Sequence, residues 1–125
     1  MKLKKSIEER FWRIKNEKIA LYVSGIDGTE FVRAFEDFQI QGIMDAYPMV
    51  KEAYGKRLLS FEEALEEGIE NIIIITVEGN YEIIRKRISG FCRKNNIKLY
   101  NLMGERLYVG IPYAEINVHP CFYTS

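Results

Sequence analysis

Residues 71–77 form an apolar segment, Asn-Ile-Ile-Ile-Ile-Thr-Val, that constrains the fold more than any other part of the chain. Successive side chains of a strand point to opposite faces, so a strand with this sequence is apolar on both faces. Such strands occupy the middle of a parallel sheet whose two faces are covered by helices. The segment is far too short to cross a membrane. It therefore predicts an α/β protein.

Strand and helix patterns alternate on both sides of this segment. Apolar runs predict five strands, at residues 18–23, 39–44, 54–59, 71–77 and 97–100. Helical spacing of apolar residues predicts helices over residues 3–16, behind Thr29, from Ser60 to Gly68, and behind Asn80. This alternation predicts three layers with a mostly parallel, five-stranded sheet, and right-handed crossovers favour the strand order 3-2-1-4-5.

The patterns divide the chain into three parts. An amphipathic helix with a basic outer face occupies residues 1–17, and the alternating strands and helices occupy residues 18–107. Residues 108–125 are expected to form an irregular or short-strand tail. The total of 125 residues is the usual length of one domain.

Several residues mark where the predicted helices begin and end. Thr29 is the expected N-cap of the second helix, and Asn80 that of the fourth. Ser60 and Glu63 are spaced as a capping box, in which each side chain accepts a hydrogen bond from the other residue's backbone. Gly68 lies just past the end of that helix, where a left-handed backbone is common.

The charge pattern argues against several classes of function. The chain carries 18 basic and 18 acidic side chains, so its net charge favours neither nucleic acid nor an anionic membrane. The local basic excess in residues 1–18 and 81–98 is typical of solvated helix faces. No apolar signal-peptide core follows Met1, so a soluble, cytoplasmic protein is expected.

No residue pattern in the sequence indicates a metal site or a catalytic set. The two cysteines, Cys92 and Cys121, lack the spacing of a zinc site, and Cys92 is expected to be a buried apolar side chain. His119, the single histidine, has no acid or nucleophile at a telling spacing. Trp12, beside Phe11, is expected to pack the first helix against the body of the protein. These observations argue against catalysis by this chain alone.

The predicted topology places one candidate binding site at the carboxyl ends of the strands. Ligands of open α/β sheets bind where the winding direction reverses, here between the first and fourth strands. Gly25 and Gly28 would let backbone approach a phosphate, and Asp45 would accept ribose hydroxyls. The predicted ligand-binding residues are Ser24, Gly25, Ile26, Asp27, Gly28, Thr29, Asp45 and Asn80.

These residues also have a structural explanation that needs no ligand. A tight strand-to-helix turn requires glycine in any case, Asn80 can serve only as a helix cap, and Asp45 can simply face water. The glycine spacing lacks the third glycine of a dinucleotide-binding motif. Asp27 and Glu30 also put negative charge where a pyrophosphate would sit. Binding of NAD is therefore disfavoured.

The chain from Lys18 to about Arg106 resembles a known family. The resemblance rests on residues 18–25, 42–45, 54–63 and 71–77, and on Arg87-Ile88 with Phe91-Cys92. They are similar to the Rossmann-like, sugar-nucleotide-binding domain at the N-terminus of bacterial sugar O- and N-acyltransferases. They are even more similar to a relative found beside haloacid-dehalogenase-like and glycosyltransferase modules in bacterial surface-polysaccharide proteins.

In the acyltransferases this domain holds the nucleotide part of a UDP-sugar. By position, the turn that approaches the phosphates would be residues 24–29, and the acid near the uridine would be Asp45. The left-handed β-helix that carries catalysis in those enzymes has no counterpart in this sequence. The resemblance therefore implies a binding or docking module without its catalytic partner.

Three functional hypotheses remain open. The first is a non-catalytic domain that binds a nucleotide or nucleotide sugar and is accessory to surface-carbohydrate metabolism. The second is a degenerate Rossmann-like interaction module with no small ligand. Its first helix and an aromatic tail would dock a partner enzyme domain or a second copy of the chain, the tail comprising Tyr108, Tyr113, Phe122 and Tyr123. The third is an NAD-dependent oxidoreductase or methyltransferase fragment, although Leu58 stands where a Tyr-x-x-x-Lys motif starting at Tyr54 would need lysine.

Overall fold

The computed structural model of the chain describes residues 2–45 and 52–110. The α-helices are α1 (Lys2–Phe11), α2 (Thr29–Ala34), α3 (Phe61–Glu66) and α4 (Tyr81–Lys94). The strands are β1 (Ile19–Val23), β2 (Ile40–Met44), β3 (Glu52–Ala53), β4 (Lys56–Arg57), β5 (Asn71–Ile75), β6 (Lys98–Tyr100) and β7 (Arg106–Leu107). The predicted α/β class and the predicted five-stranded, mostly parallel sheet are confirmed.

Strand β5 lies at the centre of the sheet, which has the order β2-β1-β5-β6-β7. It pairs in parallel with β1 on one side and β6 on the other. All five of its residues are buried, because helices cover both faces of the sheet at this point. The strand ends at Ile75, two residues earlier than the apolar pattern predicts.

Two hydrophobic clusters lie on opposite faces of the sheet. Leu21, Ile73 and Ile75 point into the cluster that α1 and α2 cover. Ile72 and Ile74 point into the cluster that α3 and α4 cover. Alternate side chains of β5 therefore contact helices on opposite faces of the sheet, which gives the three layers that the sequence predicts.

The predicted third strand, residues 54–59, is not part of the five-stranded sheet. Strands β3 and β4 pair with each other in an antiparallel ribbon. Tyr54 and Gly55 form its turn with φ values of 55° and 73°, and two successive positive φ values are typical of tight hairpins. Beyond the ribbon, Leu58 makes an isolated parallel bridge to Ile43. The backbone N–H of Leu59 donates to the carbonyl of Ile43 over 2.8 Å.

The fifth place in the sheet is taken by β7, which runs antiparallel to β6. From the sequence, an irregular or short-strand tail is expected only from residue 108 onward, whereas β7 ends at Leu107. Residues 111–125, with most of the predicted tail, Cys121 and His119, lie outside the described residues.

Helix α1 ends earlier than predicted, and Trp12 is more exposed than predicted. The α-helix stops at Phe11, and Trp12–Ile14 form a 3-10 turn in place of the predicted helix to residue 16. The expectation that Trp12 packs against the body is wrong, because its side chain is 64% exposed. Phe11 takes the buried position instead, 5.5 Å from the ring of Phe35.

The local predictions around α3 and α4 are confirmed. Ser60 and Glu63 form both hydrogen bonds of the capping box, each 3.1 Å long. Gly68 follows α3 with φ +75°. Cys92 is buried, and desolvation raises the pKa of its thiol to about 12.

The described part of the chain has neither a membrane-spanning helix nor a cluster of metal ligands. Within residues 2–45 and 52–110, no helix has the length and apolar character needed to cross a membrane. Over the same ranges, histidine, cysteine and acidic side chains form no group of three or more that could hold a metal ion.

Candidate functional site

The winding of the chain reverses between β1 and β5. These two strands are parallel neighbours, so their carboxyl ends lie side by side. The helix that follows β1 packs on one face of the sheet, and the helix that follows β5 packs on the other. The connections therefore leave the sheet in opposite directions, and open α/β sheets bind ligands in the crevice at such a position.

The two connections are tied together at their base. The backbone N–H of Ser24 donates to the carbonyl of Ile75 over 3.1 Å. The hydroxyl of Thr76 donates in return to the carbonyl of Ser24 over 2.7 Å. Thr76 is buried, so this pair of bonds fixes where the β1 connection starts relative to the end of β5.

Above that base, Gly25 faces Asn80. Gly25 has φ +67°, a left-handed conformation that glycine adopts without strain. A Cβ atom on Gly25 would lie 3.3 Å from Nδ2 of Asn80. The structure therefore brings together two of the predicted ligand-binding residues from connections more than fifty residues apart in sequence.

The side chain of Asn80 does not cap α4. Asn80 occupies the N-cap position at the end of a 3-10 turn (Glu78–Asn80), but its side chain makes no capping hydrogen bond. The prediction places Asn80 correctly at the N-cap position, but the capping hydrogen bond expected from its side chain is not formed. Its backbone, with φ −96° and ψ −11°, is not in the extended conformation of most N-caps. A half-buried carboxamide is thus left facing the crevice, without a hydrogen bond to any described residue.

Asp27 satisfies the beginning of α2. Its Oδ1 atom accepts hydrogen bonds from the backbone N–H of Thr29, at 3.0 Å, and from the hydroxyl of Thr29, at 2.6 Å. These two bonds hold the pKa of the Asp27 carboxyl below its usual value. The prediction that Thr29 is the N-cap is wrong: Gly28 is the N-cap and Thr29 is the first helical residue. The short side chain of Asp27 can reach the backbone N–H of the residue two positions later, and here it accepts a hydrogen bond from the N–H of Thr29.

Tyr54, which the sequence did not indicate, takes a second N–H group. The backbone N–H of Gly28 donates to the Tyr54 hydroxyl over 3.2 Å. Gly28 is buried, and a Cβ atom there would lie 2.9 Å from Cγ1 of Val23. Glycine at this position is therefore required by packing. Two N–H groups that would meet a phosphate are already used by the protein's own oxygen atoms.

The remaining predicted residues have separate places at this edge. The side chain of Ile26 packs against the hydrophobic cluster of α1 and α2, so it supports the turn from below. Asp45 is exposed and directly follows β2, on the far side of β1 from β5. Two inter-strand spacings, about 10 Å, separate the ends of β2 and β5. A ligand that touched both Asp45 and Asn80 would have to span the end of β1.

The groups available to a ligand in the crevice are thus neutral and polar, and they are not a set suited to phosphate. Ser24 and Asn80 have side chains without hydrogen bonds to described residues, and the backbone of Gly25 is exposed between them. Hydroxyl and amide groups of a ligand match such partners. The carboxylate of Asp27 disfavours a second anion at the beginning of α2.

Comparisons of this chain with protein-family models, with curated proteins and with solved structures found no match. The functional inference therefore rests on the geometry of the crevice and on the chemistry of its residues.

Proposed function

We propose that this chain is a non-catalytic, Rossmann-like domain that binds a nucleotide or nucleotide sugar in the crevice between β1 and β5. One observation carries the proposal. At the point where the winding reverses, the exposed left-handed backbone of Gly25 faces a carboxamide of Asn80 that has no described hydrogen-bond partner. A half-buried amide in a crevice is stabilised when a ligand supplies the missing partner.

The geometry favours a particular orientation of such a ligand. Sugar or nucleoside hydroxyls would hydrogen-bond to Ser24 and Asn80, and Asp45 would accept hydroxyl groups at the other end. The phosphates would lie away from the beginning of α2, because Tyr54 and Asp27 already accept hydrogen bonds from the N–H groups of Gly28 and Thr29 and because Asp27 is negatively charged. This orientation differs from the phosphate-on-turn arrangement that the family resemblance implies.

The proposed role is binding without chemistry, in support of a partner. The family resemblance favours an accessory role in bacterial surface-carbohydrate metabolism, beside an enzyme domain that carries the catalysis. Cys92, the described cysteine, does not suit a nucleophilic role because burial raises the pKa of its thiol to about 12.

A thermal-shift screen tests this proposal. The purified protein is heated with UDP-sugars, UDP, CMP, NAD, coenzyme A or S-adenosylmethionine. A ligand at about 100 times its Kd adds about 2.7 kcal/mol to the free energy of unfolding, which raises the Tm by several degrees. We expect UDP-sugars to raise the Tm, and the increase to be smaller in Asn80→Ala, which removes a hydrogen-bond partner of the ligand.

A matched variant separates ligand binding from general damage. Gly79→Ala changes a neighbouring residue of the same connection, where a Cβ atom meets nothing within 4 Å. This variant should keep the full response to UDP-sugars. An Asn80→Ala protein that responds as strongly as wild type would show that the crevice is not the binding site.

A docking module is the second candidate function. It is favoured by the occupation of the α2 N–H groups by Tyr54 and Asp27, which leaves less room for a phosphate. On this hypothesis the domain recognises a partner enzyme domain or a second copy of itself. The absence of a Tm change with every compound would favour docking over ligand binding.

A further inference from the structure

A second cleft lies away from the crevice, between the end of α1 and the β6–β7 hairpin. Its volume is about 420 Å³, within the range of about 300–1,000 Å³ that is usual for small-molecule sites. Two segments of the chain line it, residues 10–14 and residues 100–106, and they contribute among others Arg10, Trp12, Arg13, Tyr100, Gly104 and Arg106. We refer to it as the arginine cleft.

Direct contacts hold the walls of the arginine cleft together. The guanidinium of Arg10 donates from Nη1 to the carbonyl of Leu102 over 3.1 Å. Gly104, with φ +88°, lies so close to α1 that a Cβ atom on it would be 3.0 Å from the Cβ and carbonyl oxygen of Arg10. Below them, the rings of Phe11 and Tyr100 meet edge to face at 6.0 Å. The cleft is therefore a built feature of the fold.

The charge in the arginine cleft is not neutralised by the described part of the protein. Arg10, Arg13 and Arg106 make no ion pair with a described carboxylate, and no acidic residue is among the lining residues. By contrast, Arg57 bridges to Glu63 and Glu67, and Arg85 bridges to Glu82. Unpaired arginines gathered in one concave place attract an anion, and their planar guanidinium groups match phosphate oxygens.

Trp12 adds an aromatic surface to this positive charge. Its indole is 64% exposed, and the guanidinium carbon of Arg13 lies 5.3 Å from the ring centroid. Trp12 also borders a shallow groove with Glu8 and Glu9, so acidic residues do approach its other side. A large exposed aromatic residue beside unpaired arginines suits a ligand with a flat ring and a phosphate, because the ring can stack while the phosphate is bound.

We propose that the arginine cleft binds a nucleotide, with the base on Trp12 and the phosphates on Arg13 and Arg106. The proposal is independent of the crevice between β1 and β5, since the two sites share no residue.

The fluorescence of Trp12 tests the proposal directly, because it is the single tryptophan of the chain. UDP is titrated into the wild-type protein while tryptophan emission is recorded, with pyrophosphate and uridine titrated separately. We expect a saturable change with UDP and competition by pyrophosphate. The double variant Arg13→Gln/Arg106→Gln should bind UDP at least about ten-fold more weakly, because two charge-assisted contacts are lost.

Matched variants decide the outcome. Lys86→Gln/Arg87→Gln removes the same amount of charge from exposed positions on α4 and should bind UDP like wild type. Equal weakening in both double variants, a uridine response as strong as that of UDP, or no saturable change up to about 10 mM UDP would overturn the proposal. Asn80→Ala should keep the fluorescence response, so failure at the crevice and failure at the arginine cleft are distinguishable.

Discussion

The two connections that leave the carboxyl edge of the sheet differ in how the following helix begins. In the β1–α2 connection, Asp27 and Tyr54 accept hydrogen bonds from the N–H groups of Thr29 and Gly28. In the β5–α4 connection, Asn80 stands at the N-cap and its side chain accepts none. At the start of α2, two backbone N–H groups hydrogen-bond to side chains of the protein. At the start of α4, the side chain of Asn80 remains available to a ligand.

This difference teaches that a glycine-containing turn after a first strand is not sufficient evidence for a phosphate site. The β1–α2 turn has the sequence expected for phosphate approach, yet two of its N–H donors already hydrogen-bond to oxygen atoms of the protein. The β5–α4 connection has the weaker sequence signal and the more available chemistry. Four predictions test this contrast, beginning with the largest effect.

Gly28→Ala should destabilise the protein, whereas Gly79→Ala should not. A Cβ atom at Gly28 would lie 2.9 Å from Val23, which is too close, while at Gly79 it would meet nothing within 4 Å. We expect Gly28→Ala to lower the free energy of unfolding by about 1–3 kcal/mol, and Gly79→Ala to change it by no more than about 0.5 kcal/mol. Urea denaturation of both variants measures the difference. Equal stability would mean that the first connection is not tightly packed.

Tyr54→Phe should cost about 1 kcal/mol of unfolding free energy, because the N–H of Gly28 loses its acceptor. Tyr108→Phe is a suitable control, since its side chain is 69% exposed. The same urea measurement applies to both variants. Hydrogen exchange at Gly28 should also be faster in Tyr54→Phe. Unchanged exchange there would contradict the proposed capping by the Tyr54 hydroxyl.

Asp27 should make a small contribution to stability that depends on pH. Hydrogen bonds from Thr29 lower the pKa of Asp27 in the folded protein below its ordinary value of 3.8. The contribution is therefore present above pH 3.8 and is lost as the pH falls through the lower, folded-state pKa. Asp27→Asn should flatten the acid side of the stability curve, measured by urea denaturation at a series of pH values.

Thr29→Val provides the control for this pH effect. It removes the hydroxyl donor and keeps the backbone donor, so its pH dependence should lie between those of wild type and Asp27→Asn. Identical curves for all three proteins would show that Asp27 is not linked to folding.

Asn80→Ala should have the smallest effect on stability, although it weakens the proposed ligand response at the crevice. With no capping bond to lose, the free energy of unfolding should change by no more than about 0.5 kcal/mol. Ser60→Ala, which removes a functioning cap, should cost about 1 kcal/mol. A loss in Asn80→Ala as large as that in Ser60→Ala would assign Asn80 to helix capping after all.

The sequence predicted the features that depend on nearby residues. The buried strand β5 follows from its apolar run, and the capping box of α3 follows from two residues three positions apart. The Asp-Gly-Thr sequence at residues 27–29 also carries the signal for the turn that Asp27 makes. Because the helical pattern of apolar residues begins just after Thr29, the sequence nevertheless predicts Thr29, and not Gly28, as the cap.

The features that were missed depend on distant residues. Tyr54 reaches Gly28 from 26 residues further along the chain. Arg10 meets Leu102 across 92 residues. Neither pairing produces a periodic pattern in the sequence, because each depends on how the β3–β4 ribbon or the β6–β7 hairpin packs against the rest of the protein. The exposure of Trp12 was missed because apolar spacing continues to Ile14 while the α-helix ends at Phe11.

The four isoleucines of β5 have a consequence for how the chain reaches this structure. They are shielded only when β1 and β6 flank them and helices cover both faces, and the strand pair β1–β5 joins residues about 52 apart. Contacts so distant in sequence form slowly during folding. Until they form, Ile72–Ile75 is an uncharged segment of high β-propensity, able to pair with the same segment of another molecule. Successful refolding is thus a competition between intramolecular closure and aggregation, in which dilution favours the native protein.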